Sequence, residues 1–231
     1  MIRFVVPTMW NYLPFWDFAK HIVNVDVVSE LFIINNDPDK TPDLEILKHP
    51  KVKMVSFGKN IGVNPAWNCG AMGSKSDIIC ISNDDIIFDT KVFYEVSQFL
   101  TDKIGILGLS ERRPERNEYP VNTGQIEFTP FELGKTDRYG YGVLYFIHKN
   151  NWKDIPHQLL MFYGDNFVFD QCFYRGLQNY MIDNLFHYHA GAKTTSIITD
   201  YGRKDNIYID KEESFYNQEI VPRFLAGNFD F

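Results

Sequence analysis

Positive charge is in short supply in this chain: 23 Lys and Arg stand against 30 Asp and Glu, a formal net charge of -7. That removes the long-range basic field with which a protein draws in a polyanion. A local basic patch stays open, for example around Arg112, Arg113 and Arg116. Cysteine is scarce and odd in number. Cys69, Cys80 and Cys172 lack metal-ligand spacing, so they read as reduced thiols in a cytosol-like compartment rather than as a disulfide framework. No apolar run approaches the roughly 20 residues that span a bilayer. The first residues also lack a basic stretch followed by an apolar one. The expectation is a cytoplasmic protein (host cytoplasm, if the gene is viral) without leader or anchor.

Several nucleotide-handling and hydrolytic signatures are missing too. There is no G-x-x-x-x-G-K-[ST] phosphate loop. No G-x-G-x-x-G follows the first apolar run, which disfavours a dinucleotide-binding Rossmann domain. No G-x-S-x-G elbow is present. The Gly-rich loop of a sugar-phosphate nucleotidyltransferase is absent as well.

What the chain does have is core. Its 231 residues are 45% hydrophobic and 16% aromatic, enough for one well-packed domain and too much for disorder. Short continuous apolar runs bounded by turn residues suit strands covered on both faces. Five stand out: Ile2 to Val6, Leu31 to Ile34, Val52 to Phe57, Ile78 to Ile81 and Ile104 to Leu109. Between them, Asn64-Pro65 predicts an N-cap and first turn for a helix through about Met72. Thr90 predicts the cap of a second helix with Val92, Phe93, Val96, Phe99 and Leu100 on one stripe. Strand–helix alternation argues for an α/β domain with a mainly parallel central sheet flanked by helices.

Beyond residue 110 the pattern changes. Glu111 to Thr123 reads as a long polar loop. Gln125 to Phe131 and Tyr141 to Ile147 look like added strands, and Leu185 to His189 like a last short one. Asp165 to Arg175 predicts a helix closed by Gly176, and the tail from about Lys211 has helical character.

In open α/β sheets ligands bind at the carboxyl ends of the strands. Three of the predicted strands end in polar residues: Pro7-Thr8, Asn35-Asn36-Asp37 and Asn83-Asp84-Asp85. The last is the sharpest. Two adjacent carboxylates after a buried strand repel one another unless a cation offsets them, and a hard divalent cation leaves positions for phosphate oxygens. A capped turn would account for the same residues.

Ile81-Ser82-Asn83-Asp84-Asp85 resembles the DxD-type metal site of GT-A glycosyltransferases. The run from Asn60 to Gly70, with Gly62 and Asn68 within it, resembles the N-x-G-x-x-x-x-x-N-x-G stretch of family 2 enzymes. Phe4-Val5-Val6-Pro7-Thr8 is similar to their first strand. The resemblance covers about residues 1–195, divided as a nucleotide-sugar half (1–110) and an acceptor half (111–195), with 196–231 as a C-terminal helical extension. It implies Thr8 and Asp37 at the base and ribose, with Pro7 and Asn36 beside them. Asn60, Gly62 and Asn68 would approach the nucleoside and brace the loop. Asp85 would ligate Mn²⁺ or Mg²⁺, with Asn83 or Asp84 at the ribose or the metal's water shell. Family 2 enzymes place a general base at the start of a late helix, where this chain has Tyr163-Gly164-Asp165-Asn166. Asp165 is the match and Asp170 the reserve, although Asn166 replaces the second acid of the usual pair. A further metal ligand is implied in His187-Tyr188-His189-Ala190-Gly191, with His189 the better fit and His187 on the same strand face by alternation. Lys193 would reach the diphosphate.

The expectation is therefore sugar transfer from a nucleotide donor, UDP-linked, to a hydroxyl, with inversion and Asp165 as base. A glycan is the default acceptor. The alternatives are a phage-type transferase acting on hydroxymethylated DNA bases and a non-catalytic nucleotide-sugar or glycan-binding module on the same fold.

Overall fold

The computed structural model describes residues 1–40, 45–110, 125–133, 142–191 and 207–231. In chain order the strands are β1 (Ile2–Thr8), β2 (Val28–Asn35), β3 (Val52–Ser56), β4 (Ile78–Ser82), β5 (Ile86–Phe88), β6 (Ile104–Leu109), β7 (Glu127–Pro130), β8 (Leu144–His148), β9 (Gln178–Asp183) and β10 (His187–His189). The α-helices are α1 (Pro14–Ile22), α2 (Val63–Ala71), α3 (Lys91–Phe99), α4 (Gly164–Tyr174), α5 (Ile207–Phe215) and α6 (Val221–Leu225), the last two joined by a π-helical turn, Tyr216–Ile220.

Eight strands form one sheet in the order β3-β2-β1-β4-β8-β6-β9-β7. The expected parallel sheet is parallel through β3, β2, β1 and β4. Its second half is mixed, because β8 runs antiparallel to both β4 and β6. β9 returns parallel to β6, and β7 closes the edge antiparallel to β9. β5 and β10 pair separately as a small antiparallel ribbon.

Alternation divides the core between the two faces of the sheet. Phe4 and Val6 face a cluster with Phe15 and Trp16 of α1 and Phe93 of α3. Val5 faces the opposite cluster, with Trp67 of α2, Phe167 of α4 and Tyr216, Ile220 and Phe224 of the C-terminal segment. All five residues of β4 are buried, which is why its run reads as continuously apolar. α2 lies unusually close: a Cβ on Gly70 would come 2.1 Å from Val5 Cγ1.

One capping expectation is corrected, and the other holds in position but not in its hydrogen bond. Gly62, at φ 90°, is the N-cap of α2, and Asn64 lies inside the helix. Its Nδ2 donates to the carbonyls of Leu159 and Phe162, at 3.3 and 2.9 Å, which ties α2 to the segment ahead of α4. At α3 Thr90 is the N-cap residue without a side-chain cap bond. Asp89 Oδ1 accepts from the Lys91 N–H instead, at 2.9 Å.

Candidate functional site

The carboxyl ends of β1, β2 and β4 lie on one edge, with Thr8 in register with Asn35. The polar residues there bind one another. The Thr8 hydroxyl donates to Asp84 Oδ2 at 2.6 Å and accepts from the Trp10 N–H at 2.8 Å. Trp10 is held at φ 61°, a left-handed conformation that costs a non-glycine residue about 1–3 kcal/mol. Its indole N–H donates to Asn35 Oδ1 at 3.0 Å, which also receives the Asp37 N–H at 2.9 Å. Pro7 sits in β1 opposite Ile34.

A second set joins this edge to the loop ahead of α2. Asn36 donates from Nδ2 to the Gly62 carbonyl at 3.2 Å, and its Oδ1 accepts from Ile61 N–H at 3.4 Å. Asn60 Oδ1 accepts from Gly62 N–H at 2.8 Å, which closes the turn. Asp37 is ion-paired with Lys40 at 3.0 Å, and Lys40 also donates to the Met9 carbonyl and Asn11 Oδ1. Asn68 faces elsewhere. It exchanges hydrogen bonds with both backbone groups of Ile155, at 2.8 and 2.9 Å, and so clamps the segment ahead of α4.

The three residues after β4 diverge. Asn83 donates its backbone N–H to the Val143 carbonyl at 3.0 Å. Asp84 turns inward to Thr8. Burial pushes its carboxyl up to about 6, Thr8 pulls against this, and the neighbouring Asp85 charge adds to the rise. Asp85 turns to His189, Oδ1 to Nε2 at 3.2 Å, with both side chains largely buried. The ribbon makes that meeting: His189 pairs with Ile86, and Ala190 N–H donates to the Asp85 carbonyl at 2.8 Å. His187 pairs farther along, opposite Phe88, with Nδ1 2.9 Å from the Leu185 carbonyl.

Among the described residues no three His, Cys, Asp or Glu side chains gather as a ligand set. Asp85 and His189 supply two donors, one carboxylate and one imidazole. That pair fits Mg²⁺ or Mn²⁺, ions that complete their shells with phosphate oxygens and water.

Asp165 reaches the same edge by another route. β8 begins beside the end of β4, Leu144 opposite Ser82, and Gly142 lies just ahead of it. A Cβ on Gly142 would come 2.2 Å from Asp165 Oδ2, so the carboxylate occupies the space a side chain there would take. Tyr163, left-handed at φ 59°, turns the chain into α4, and Asp165 Oδ1 accepts from the Asn166 N–H at 3.0 Å. Beneath lies Tyr145, whose buried hydroxyl is pushed well above its ordinary range by burial and then by the charge of Asp165. Asp170 lies away from this edge and accepts from the Tyr216 hydroxyl at 2.5 Å. Lys193, the Arg112–Arg116 cluster and the loop from Glu111 to Thr123 lie outside the described residues.

Sequence reasoning did not single out Trp10, Gly142 or Glu212. A positive φ at tryptophan and a glycine emptied for a carboxylate 23 positions later leave no local signal. Glu212 looks like any polar helix residue.

The mixed sheet between helical layers, with carboxylates and amides gathered at the strand ends, is a fold this chain shares with solved glycosyltransferase structures. No protein-family model matches the chain, and no curated protein matches it by sequence. Among solved structures it is similar to TarS of S. aureus, with TM-score 0.61 and 12% identity over 81% of this chain and 36% of that one. The chain thus spans about a third of that protein. It is also similar to TarS 1–349 in complex with UDP, with TM-score 0.61 and 10% identity over 97% of this chain and 74% of that one. A third is the mannosyltransferase PcManGT from Pyrobaculum calidifontis in complex with GDP-Man and Mn²⁺, with TM-score 0.57 and 15% identity over 78% and 55%. At such identities the likeness is one of fold.

Proposed function

We propose that the chain is a glycosyltransferase that moves a sugar from a nucleotide donor, UDP-linked, to a hydroxyl acceptor, with inversion. One observation carries this reading. Asp85–His189 and the carboxylate of Asp165 lie at one sheet edge, beside the amide-lined ends of β1 and β2. Solved structures of this fold hold UDP, UDP-GlcNAc, or GDP-Man with Mn²⁺, which supports a nucleotide sugar as co-substrate here.

In this reading the frame of Thr8, Asn35, Asn36 and Asn60 shapes the nucleoside crevice, with Asp37 at its mouth. Asp85 and His189 would hold Mn²⁺ or Mg²⁺, which would supply positive charge opposite the diphosphate leaving group. Asp165 takes the proton from the acceptor hydroxyl as that oxygen attacks the anomeric carbon. Asp84 keeps Thr8 and the start of the Trp10 loop in place. A glycan is the acceptor class in this reading, since the net charge of -7 disfavours a polyanion.

The test is a panel of UDP-, GDP-, CMP- and dTDP-sugars with Mn²⁺ or EDTA, scoring nucleotide release by wild type and Asp85→Ala. Metal-dependent release from one nucleotide class, lost in the variant, is expected. No release and no nucleotide-induced thermal stabilisation would leave the fold without the activity.

A further inference from the structure

Glu212 is 2% exposed, deep in a helix of the C-terminal segment. A carboxylate buried this far is costly unless its lone pairs are met. They are met by backbone alone. Oε1 accepts from Leu160 N–H at 3.1 Å and Met161 N–H at 3.3 Å. Oε2 accepts from Met161 N–H at 3.2 Å and Phe162 N–H at 2.8 Å. Three successive amides converging on one anion form a nest, the geometry proteins use to hold phosphates and carboxylates. Here the chain's own side chain fills it.

The segment so held has its carbonyls gripped from the other side. Asn64 takes those of Leu159 and Phe162 through Nδ2, and the Leu160 carbonyl accepts from the Asn64 N–H at 3.1 Å. That carbonyl also abuts Gly62, where a Cβ would come within 2.6 Å of it. Immediately beyond come Tyr163, Gly164 and Asp165. Tyr163 is stacked on Tyr216 with ring centroids 5.2 Å apart, and burial, then the neighbouring Glu213, pushes its hydroxyl up to about 12. The C-terminal segment therefore holds both the amides before the turn and the ring at it.

We propose that Glu212 is a positioning residue: by filling the nest at residues 160–162 it fixes the turn that aims Asp165. The inference rests on Asp165 as the general base. It makes the C-terminal helix part of the catalytic unit rather than an appendage. Gln in place of Glu212 keeps the size but turns an NH₂ toward an amide N–H, so one side of the nest becomes repulsive.

The experiment compares the full chain with Glu212→Gln, Asp165→Asn and the double variant. It reads amide exchange over 160–164, melting temperature, UDP binding in Mn²⁺, and nucleotide release from the donor it turns over. In Glu212→Gln, exchange at 160–162 should quicken about tenfold. kcat should fall roughly 10- to 100-fold, the scale of a 1 Å misplacement, with UDP affinity within about twofold of wild type. The double variant should be no slower than Asp165→Asn. Unchanged exchange or unchanged kcat in Glu212→Gln beside an inactive Asp165→Asn overturns the positioning role alone. Full activity in Asp165→Asn overturns the base assignment, and the route from Glu212 with it. If Glu212→Gln does not fold, Glu212→Asp, which keeps the charge but falls short of the amides, is read by the same criteria.

Discussion

Gly142→Ala adds one methyl group beside the proposed base and nothing else. An ideal Cβ at that position lies 2.2 Å from Asp165 Oδ2, 2.9 Å from Cγ and 3.1 Å from Cβ, where ordinary contact begins at 3.4 Å. The carboxylate must retreat by about 1 Å, by rotation off its rotamer at a cost of about 0.5–1.5 kcal/mol. The loss of glycine's freedom in the unfolded chain returns about 0.4–1 kcal/mol. Net stability should therefore change by no more than about 1 kcal/mol, a few degrees in melting temperature. Catalysis is less forgiving, since a base displaced by about 1 Å loses up to roughly 100-fold, or about 2.7 kcal/mol of barrier. Nucleotide release at saturating donor and acceptor, beside a thermal melt and UDP binding in Mn²⁺, reads all three quantities. The expected pattern is reduced kcat with near-native stability and affinity. Wild-type kcat in a folded Gly142→Ala would refute the argument, because the rate would then be indifferent to where that carboxylate points.

His189→Ala removes one of the two proposed ligands at the Asp85 pair. UDP affinity in Mn²⁺ should fall at least about tenfold, equivalent to about 1.4 kcal/mol, while affinity in EDTA stays the same; calorimetry checks both arms. Asp84 has a carboxyl raised to about 6 in the fold from 3.8. The folded chain thus binds this proton more tightly than the unfolded one, and its contribution to stability is lost as pH rises from about 4 to about 6. The loss is of order 3 kcal/mol. Urea unfolding of the metal-free chain across that window should show wild type losing stability relative to Asp84→Asn; parallel curves would count against a buried carboxyl.

β1, β2, β4 and β6 were legible because they are covered on both faces, whereas the edge strand β3 is half exposed. β6 falls on the residues its apolar run predicts, Ile104–Leu109, and β4 differs by one. β9 was not legible, because a polar residue does structural work inside it. Asn179 is fully buried, donating to the Phe169 carbonyl and accepting from the Ile106 N–H, and hydropathy reads such a residue as a break. α1 was missed within a run of aromatics, although Pro14 at its first turn was a readable start signal. β5 is three residues long and exists through its pairing with β10. Pairing of this kind also sets how much of the site could be read. That Asp85 is a candidate ligand follows from two carboxylates after a strand. That Asp84 turns away to Thr8 while Asp85 turns to His189 depends on a ribbon between segments about a hundred residues apart.

The departure from a parallel sheet bears directly on the site. In a parallel strand the residues just before its start lie at the edge opposite the ligand crevice. β8 runs the other way, so its leading residues, Gly142 and Val143, come to the carboxyl end of β4. There the Val143 carbonyl receives the Asn83 N–H, and Gly142 leaves room for Asp165. One antiparallel strand thus brings the segment that accommodates the proposed base to the edge where Asp85 leaves the sheet. The β5–β10 ribbon then brings His189 to that edge from beyond β9. An insertion that reversed β8 or unpaired β10 would leave every candidate residue in the sequence and take the site apart.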